Sequence, residues 1–124
     1  AGEKLAMPAD RRAGYARGLV AEGIAAWLLR LKGYRVLAIC YRTPLGEIDI
    51  VARRGKVLAF VEVKARPTVE AGLEAIAAEG DRRIEAAADR YLSRQPQFVD
   101  FTLRFDLVVV SPRRWPHHVE NAFS

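Results

Sequence analysis

Asp49, Glu62 and Lys64 are the residues of this chain whose types and spacing point to chemistry. They lie in Gly46-Glu47-Ile48-Asp49-Ile50-Val51 and Val61-Glu62-Val63-Lys64, runs that otherwise read as buried strands. Ile48, Ile50, Val61 and Val63 are β-branched and alternate with charged residues. Alternation puts Glu47 and Asp49 on one face of their strand, and Glu62 and Lys64 on one face of theirs. If the two strands are neighbours, Asp49, Glu62 and Lys64 converge. Two hard carboxylates beside an ammonium suit a Mg²⁺ (or Mn²⁺) ion and an activated water, the layout of a phosphodiester-cutting site. The bland alternative is a half-solvated sheet with Glu and Lys on its wet face. The spacing favours the site, because Asp49 stands thirteen positions before Glu62 across a short hairpin. Glu47 is placed at the rim.

Glu22 joins this group on a different argument. Its helical neighbours three and four positions away are Gly18, Leu19, Ala25 and Ala26, none of them charged. A carboxylate there has no local ion-pair partner, and burying it alone is costly. It should meet a cation, a donor or a metal; the alternative is a structural hydrogen bond.

The elements that must position these residues follow from periodicity. Gly14–Leu31 reads as a helix with Val20, Ile24, Trp27 and Leu31 as its core-facing stripe, ended by Lys32-Gly33. Tyr34–Tyr41, Glu47–Ala52 and Val57–Lys64 read as strands. The connections Arg42–Gly46 and Arg53–Lys56 are short, so the three form an antiparallel meander. Ala65–Glu79 is ambiguous: Pro67 closes the strand and helix formers follow without a clean cap. Asp81–Arg94 is a helix with Ile84, Ala87, Ala88, Tyr91 and Leu92 as its apolar stripe, capped at Gly80-Asp81. Leu103–Val110 is a last main strand, and 118–122 a short edge strand.

Composition bounds the class. At 124 residues, just over half of them apolar, the chain is expected to fold as one domain (residues 13–124) after a polar, frayed segment (1–12). No stretch is long and apolar enough to span a bilayer, and nothing resembles a signal peptide. One cysteine, Cys40, excludes an internal disulfide and fits a cytoplasmic location; it is read as packing rather than chemistry. Residues 1–66 carry 13 Lys/Arg against 6 Asp/Glu, a net of +7, and residues 67–124 carry 7 against 9, a net of −2. The basic half holds the candidate site, which would draw a polyanion such as DNA toward it. The competing explanation is arginine-rich codon usage, since sixteen of the twenty cations are arginine. Arg53, Arg54 and Lys56, on a hairpin turn, are the first candidates for DNA contact. His117 and His118 are adjacent and would face opposite ways on a strand, so they read as structural or surface residues. Trp27 and Trp115 read as core or lid residues outside any interleaved basic-aromatic platform.

Several segments together resemble a known group. Gly18…Glu22, Gly33-Tyr34, the stretch from Arg42-Thr43 to Asp49, Phe60 to Arg66, Arg104-Phe105-Asp106 and Glu120–Phe123 are similar to the YraN family of small bacterial proteins. That family is in turn similar to archaeal Holliday-junction resolvases of the restriction-endonuclease-like, or PD-(D/E)xK, fold. The resemblance covers about residues 14–123. It implies metal-binding carboxylates at Asp49 and Glu62, the Val63 carbonyl as a further metal ligand, a catalytic lysine at Lys64 and an acidic helix residue at Glu22 beside a second ion or a water. One departure is Gly80-Asp81, where the family usually carries a Lys-Gln pair. The expected architecture is α/β: a three-layer fold with a mixed sheet of four to five strands flanked by helices, in the order α-βββ-α-β-(β). The expected function is metal-dependent hydrolysis of DNA, with branched or damaged DNA as candidate substrate. The runner-up is a binding protein for nucleic acid or another partner that keeps the fold without turnover, and a third reading is a structural subunit. A homodimer would let two sites cut opposed strands, but no residue fixes one.

Overall fold

The computed structural model describes residues 9–79 and 82–123, with side chains from 18–78 and 83–123. In chain order it has α1 (Ala9–Leu31), β1 (Arg35–Thr43), β2 (Gly46–Arg54), β3 (Val57–Ala65), α2 (Val69–Glu79), α3 (Arg82–Ser93), a short 3₁₀ turn at Pro96–Phe98, β4 (Thr102–Val110) and β5 (His117–Val119). The five strands form one mixed sheet in the order β1-β2-β3-β4-β5. The β1–β2–β3 meander is antiparallel, β4 runs parallel to β3, and β5 returns antiparallel on the edge. A parallel neighbour needs a crossover, which α2 and α3 supply.

The layers follow from which side chains are buried together. Leu28, Leu29, Ile50, Ala59, Val61 and Val108 form the core between the sheet and α1. Val51, Leu58, Phe60, Ile84, Ala87 and Tyr91 form a second core against α3, and Ile76 of α2 packs on Leu107 and Val109. Helices therefore cover both faces, in the three-layer restriction-endonuclease-like arrangement expected from the sequence. The α3 stripe is buried as read. Among the described residues, no helix is long and apolar enough to cross a membrane.

Three expectations change. The α1 stripe is reversed: Val20 is 61% exposed, Trp27 49% and Leu31 59%, while Ala21, Ala25, Ala26, Leu28 and Leu29 face the sheet. The helix is apolar on two sides, and its alanine side allows the closer approach to the sheet. Helix α1 begins at Ala9, earlier than the Gly14 start read from the sequence; residues 1–8 lie outside the described residues. The ambiguous stretch contains α2, and its cap is Thr68, whose Oγ1 accepts the Ala71 N–H at 3.1 Å. The expected cap and family departure at Gly80-Asp81 lie outside the described residues.

The ends of α1 and β1 are fixed locally. Gly33, at φ +90°, lets Tyr34 N–H reach back to the Leu29 carbonyl at 2.9 Å, closing α1 with a left-handed cap. At the β1–β2 turn, Thr43 Oγ1 accepts the N–H groups of Leu45 and Gly46 and donates to the Gly46 carbonyl. Gly46 is required for a second reason: a Cβ there would stand 2.1 Å from the Arg83 carbonyl oxygen of α3.

Candidate active site

Strand β2 breaks its alternation just where the first carboxylate sits. Gly46 and Ile48 face α3, yet Ile50 and Ala52 face α1. The even-numbered side chains thus change sides across Asp49. The residue that would pair with Asp49 on β1 is Cys40, which adopts φ +55°, a region that costs a non-glycine residue energy. Both strands are irregular at the same level.

On its other side β2 parts from β3. Their pairing runs from Arg54↔Val57 to Ile50↔Val61 and stops. One more step of that register would set Asp49 opposite Glu62. Instead the strands fork, and Asp49 Oδ2 accepts the Val63 N–H at 2.8 Å. The N–H and C=O of one residue in an extended strand point to the same side, so the Val63 carbonyl opens into the fork as well. Glu62 and Lys64 continue the face of Leu58 and Phe60, and Lys64 Nζ lies 3.3 Å from Glu62 Oε1 with both side chains mostly buried.

The electrostatics record this crowding. Burial, then the charge of Glu62, pushes Asp49 up from 3.8 to about 7; Glu22 and Glu47 add to the rise and the Val63 N–H opposes it. Glu22 approaches from α1. Its Oε1 accepts a hydrogen bond from Cys40 Sγ at 2.9 Å, so the lone helix carboxylate does have a donor. That bond, with burial and the charges of Glu22 and Asp49, pushes the Cys40 thiol up to about 11. Cys40 is thus held as the protonated donor of that bond. Glu47 is at the rim, its side chain 60% exposed and 3.6 Å from Arg42 Nε.

The donor set is hard: the carboxylates of Asp49 and Glu62 and the Val63 carbonyl. Among the described residues, no group of three or more His, Cys, Asp or Glu side chains is arranged to hold one ion. Two carboxylates with a backbone oxygen suit Mg²⁺ or Mn²⁺, which keep several waters, better than a cation needing a full protein cage. These residues fit such an ion.

The expected DNA contacts are elsewhere. Arg53, Arg54 and Lys56 sit at the β2–β3 hairpin, roughly 15 Å along the strand from Asp49 at ~3.3 Å per residue. Arg53 and Lys56 stack on Phe101, at 4.9 and 5.3 Å from its ring centre, and Arg54 stacks on Tyr34 and donates to the Lys32 carbonyl. The fold does not bring them to the fork. Arg66, just past the site end of β3, and Arg113 and Arg114, beyond β4, line a groove with Ala65 and Val110.

Other recognised motifs serve the frame. Asp106 on β4 is fully buried. It takes a forked pair of hydrogen bonds from Arg104, a contact from His118 Nε2 at 2.7 Å and the Asn121 N–H at 3.0 Å. Burial alone would raise its pKa, but His118, Arg104 and the Asn121 N–H hold it below the usual carboxylate value. Arg104 also bonds the Tyr34 hydroxyl and pairs with Glu120 at 3.3 Å. Arg104-Phe105-Asp106 and Glu120-Asn121 therefore knit β4 to β5 and to the end of α1, and His118 is structural as read.

The chain's relatives agree on one family. Residues 21–110 match the model of the Uncharacterised protein family UPF0102. A UPF0102 protein of Chelativorans sp. (strain BNC1) is 56% identical over 115 residues, covering 93% of each chain. One from Mesorhizobium japonicum is also 56% identical over 115 residues, covering 93% of this chain and 92% of the relative. One from Parvibaculum lavamentivorans is 53% identical over 116 residues, covering 94% and 87%. The chain belongs to the UPF0102 family, the YraN-like group that its motifs resemble.

Proposed function

We propose that this protein is a metal-dependent nuclease that hydrolyses DNA phosphodiester bonds, working among nucleic acids in the cytoplasm. The observation that carries the reading is the fork between β2 and β3. There the β2–β3 pairing stops one step short of setting Asp49 against Glu62, the Val63 N–H goes to Asp49 Oδ2 rather than to a β2 carbonyl, and Lys64 stands 3.3 Å from Glu62. A sheet built only for stability would continue its pairing at that point and would not bury two facing carboxylates.

Asp49, Glu62 and the Val63 carbonyl would hold Mg²⁺ or Mn²⁺. When bound, that ion supplies positive charge that lowers the pKa of an attacking water and offsets charge on the phosphate. Glu62 holds the Lys64 ammonium at the site's edge, where it can donate to the water or to a phosphate oxygen as negative charge develops. Glu22, held by the Cys40 thiol, brings its charge to bear on Asp49 from α1 and can accept a hydrogen bond from a water. The chain's +7 basic half supports a polyanionic substrate.

The test is cleavage of end-labelled blunt duplex, single-stranded, forked and four-way-junction DNA with Mg²⁺ or Mn²⁺. Wild type should cut at least one form, and Glu62→Gln should cut none. If wild type cuts no form while binding DNA, the protein is a binding module on a nuclease fold and the hydrolytic reading is wrong.

A further inference from the structure

Beside the fork, between the exposed part of α1 and the far ends of β3 and β4, lies a groove of about 610 Å³. This volume is in the range of sites that enclose small ligands. Its floor is apolar, with Val20, Ile24 and Val110, and its rim carries Arg66, Arg113 and Arg114. Among the described residues, no Asp or Glu lines it. Arg66 follows Lys64 by two residues, so the groove opens from the site end of β3. Arg66 is anchored by donating to the Ala65 carbonyl at 2.9 Å. Trp115 follows Arg114 in the chain and is 66% exposed. Its ring is braced edge-on against Trp27, with centroids 5.4 Å apart, and Trp27 lies one helical turn beyond Ile24.

Three guanidinium groups with no carboxylate among the described lining residues call for an anion, and their forked donors match phosphate oxygens. The apolar floor and the braced indole call for flat apolar faces. A stacked duplex offers its surroundings phosphates but hides its base faces. A strand with unstacked bases offers both. We infer that this groove binds a single-stranded arm of DNA leading away from the hydrolytic site, its phosphates on Arg66, Arg113 and Arg114 and a base on Trp115. The inference rests on the DNA reading above and makes the substrate a branched or forked molecule.

The experiment uses the full chain in chelator, so that binding is read without cleavage. Labelled forked duplex and blunt duplex of equal paired length are titrated by anisotropy, and a short oligothymidylate by intrinsic tryptophan fluorescence. The chain's two tryptophans are Trp27 and Trp115, so that emission reports on this surface alone. Forked DNA should bind roughly tenfold tighter than blunt, and oligothymidylate should quench the emission. Arg113→Gln with Arg114→Gln should remove most of the preference for the fork. Trp115→Ala should weaken fork binding roughly tenfold while Trp115→Phe largely restores it. Equal affinity for both DNA forms, emission that oligothymidylate leaves unquenched, or variants that bind the fork like wild type would overturn the assignment. Wild type that cuts nothing yet binds the arm through these residues would remove the hydrolytic reading and keep the groove. Wild type that cuts blunt duplex yet shows no arm preference would remove the groove and keep the hydrolysis.

Discussion

Replacing Asp49 with asparagine should stabilise the protein in the absence of metal, and by an amount that depends on pH. An unfolded aspartate loses its proton near 3.8, whereas in the fold burial and Glu62 hold Asp49 protonated up to about 7. A raised carboxylate pKa penalises the folded state as pH rises: nothing is lost below 3.8, the penalty grows between 3.8 and 7, and it is complete above 7. At ~1.4 kcal/mol per pH unit, the interval corresponds to at most roughly 4 kcal/mol. An asparagine at this position has no charge to bury, and its amide oxygen can still accept the Val63 N–H. With ~3–5 °C of Tm per kcal/mol for a chain of this size, Asp49→Asn should melt on the order of 10 °C higher than wild type at about pH 8.5 in chelator. The two should melt together at about pH 3.5. Adding Mn²⁺ under the alkaline condition should raise wild type and leave the variant unmoved. Calorimetric or fluorimetric melting across pH reads all three. A variant no more stable than wild type in alkali, or a gap that is the same at both pH values, would refute the reasoning.

Lys64→Ala should abolish cleavage while DNA binding persists, and Lys64→Arg should not restore it, because a planar guanidinium cannot take the compact place beside Glu62; a variant that cuts like wild type removes Lys64 from the chemistry. Asp106→Asn should cost ~3–5 kcal/mol in urea unfolding, since it leaves the Arg104 guanidinium without its buried counter-charge and disturbs the His118 and Asn121 contacts; a loss under ~1 kcal/mol would mean that the network is not holding β5. Gly46→Ala should destabilise by ~1–3 kcal/mol, because its Cβ cannot fit against the Arg83 carbonyl unless β2 or α3 moves; an unchanged midpoint would contradict the close approach.

Much of the frame was legible because short connections leave a chain little choice. The turns around Pro44-Leu45 and Gly55 force an antiparallel meander, and that meander sets Asp49 level with Glu62. The fork itself was not legible. Nothing local in Ile48-Asp49-Ile50 shows that pairing stops there or that the strand changes faces, because both depend on how α1 and α3 press on opposite sides of the sheet. Helix α1 misled because it is apolar on two sides: Val20, Trp27 and Leu31 face outward, while Ala21, Ala25 and Ala26 with Leu28 and Leu29 face the sheet. The Thr68 cap was present in the sequence and was obscured by Pro67. The placing of Arg53, Arg54 and Lys56 far from the site follows from strand length alone: a hairpin turn about five residues beyond Asp49 lies at the other end of the sheet.

The claim that most depends on this arrangement is that Asp49, Glu62 and the Val63 carbonyl hold one divalent ion. A crystal of wild type grown in Mn²⁺, measured for anomalous scattering at the manganese edge, tests it directly. The expected result is a single strong peak in the β2–β3 fork, within bonding distance of one oxygen from each of the three residues and lost in crystals of Asp49→Asn. A fork without a peak at millimolar Mn²⁺, or a peak held by other residues, would contradict it.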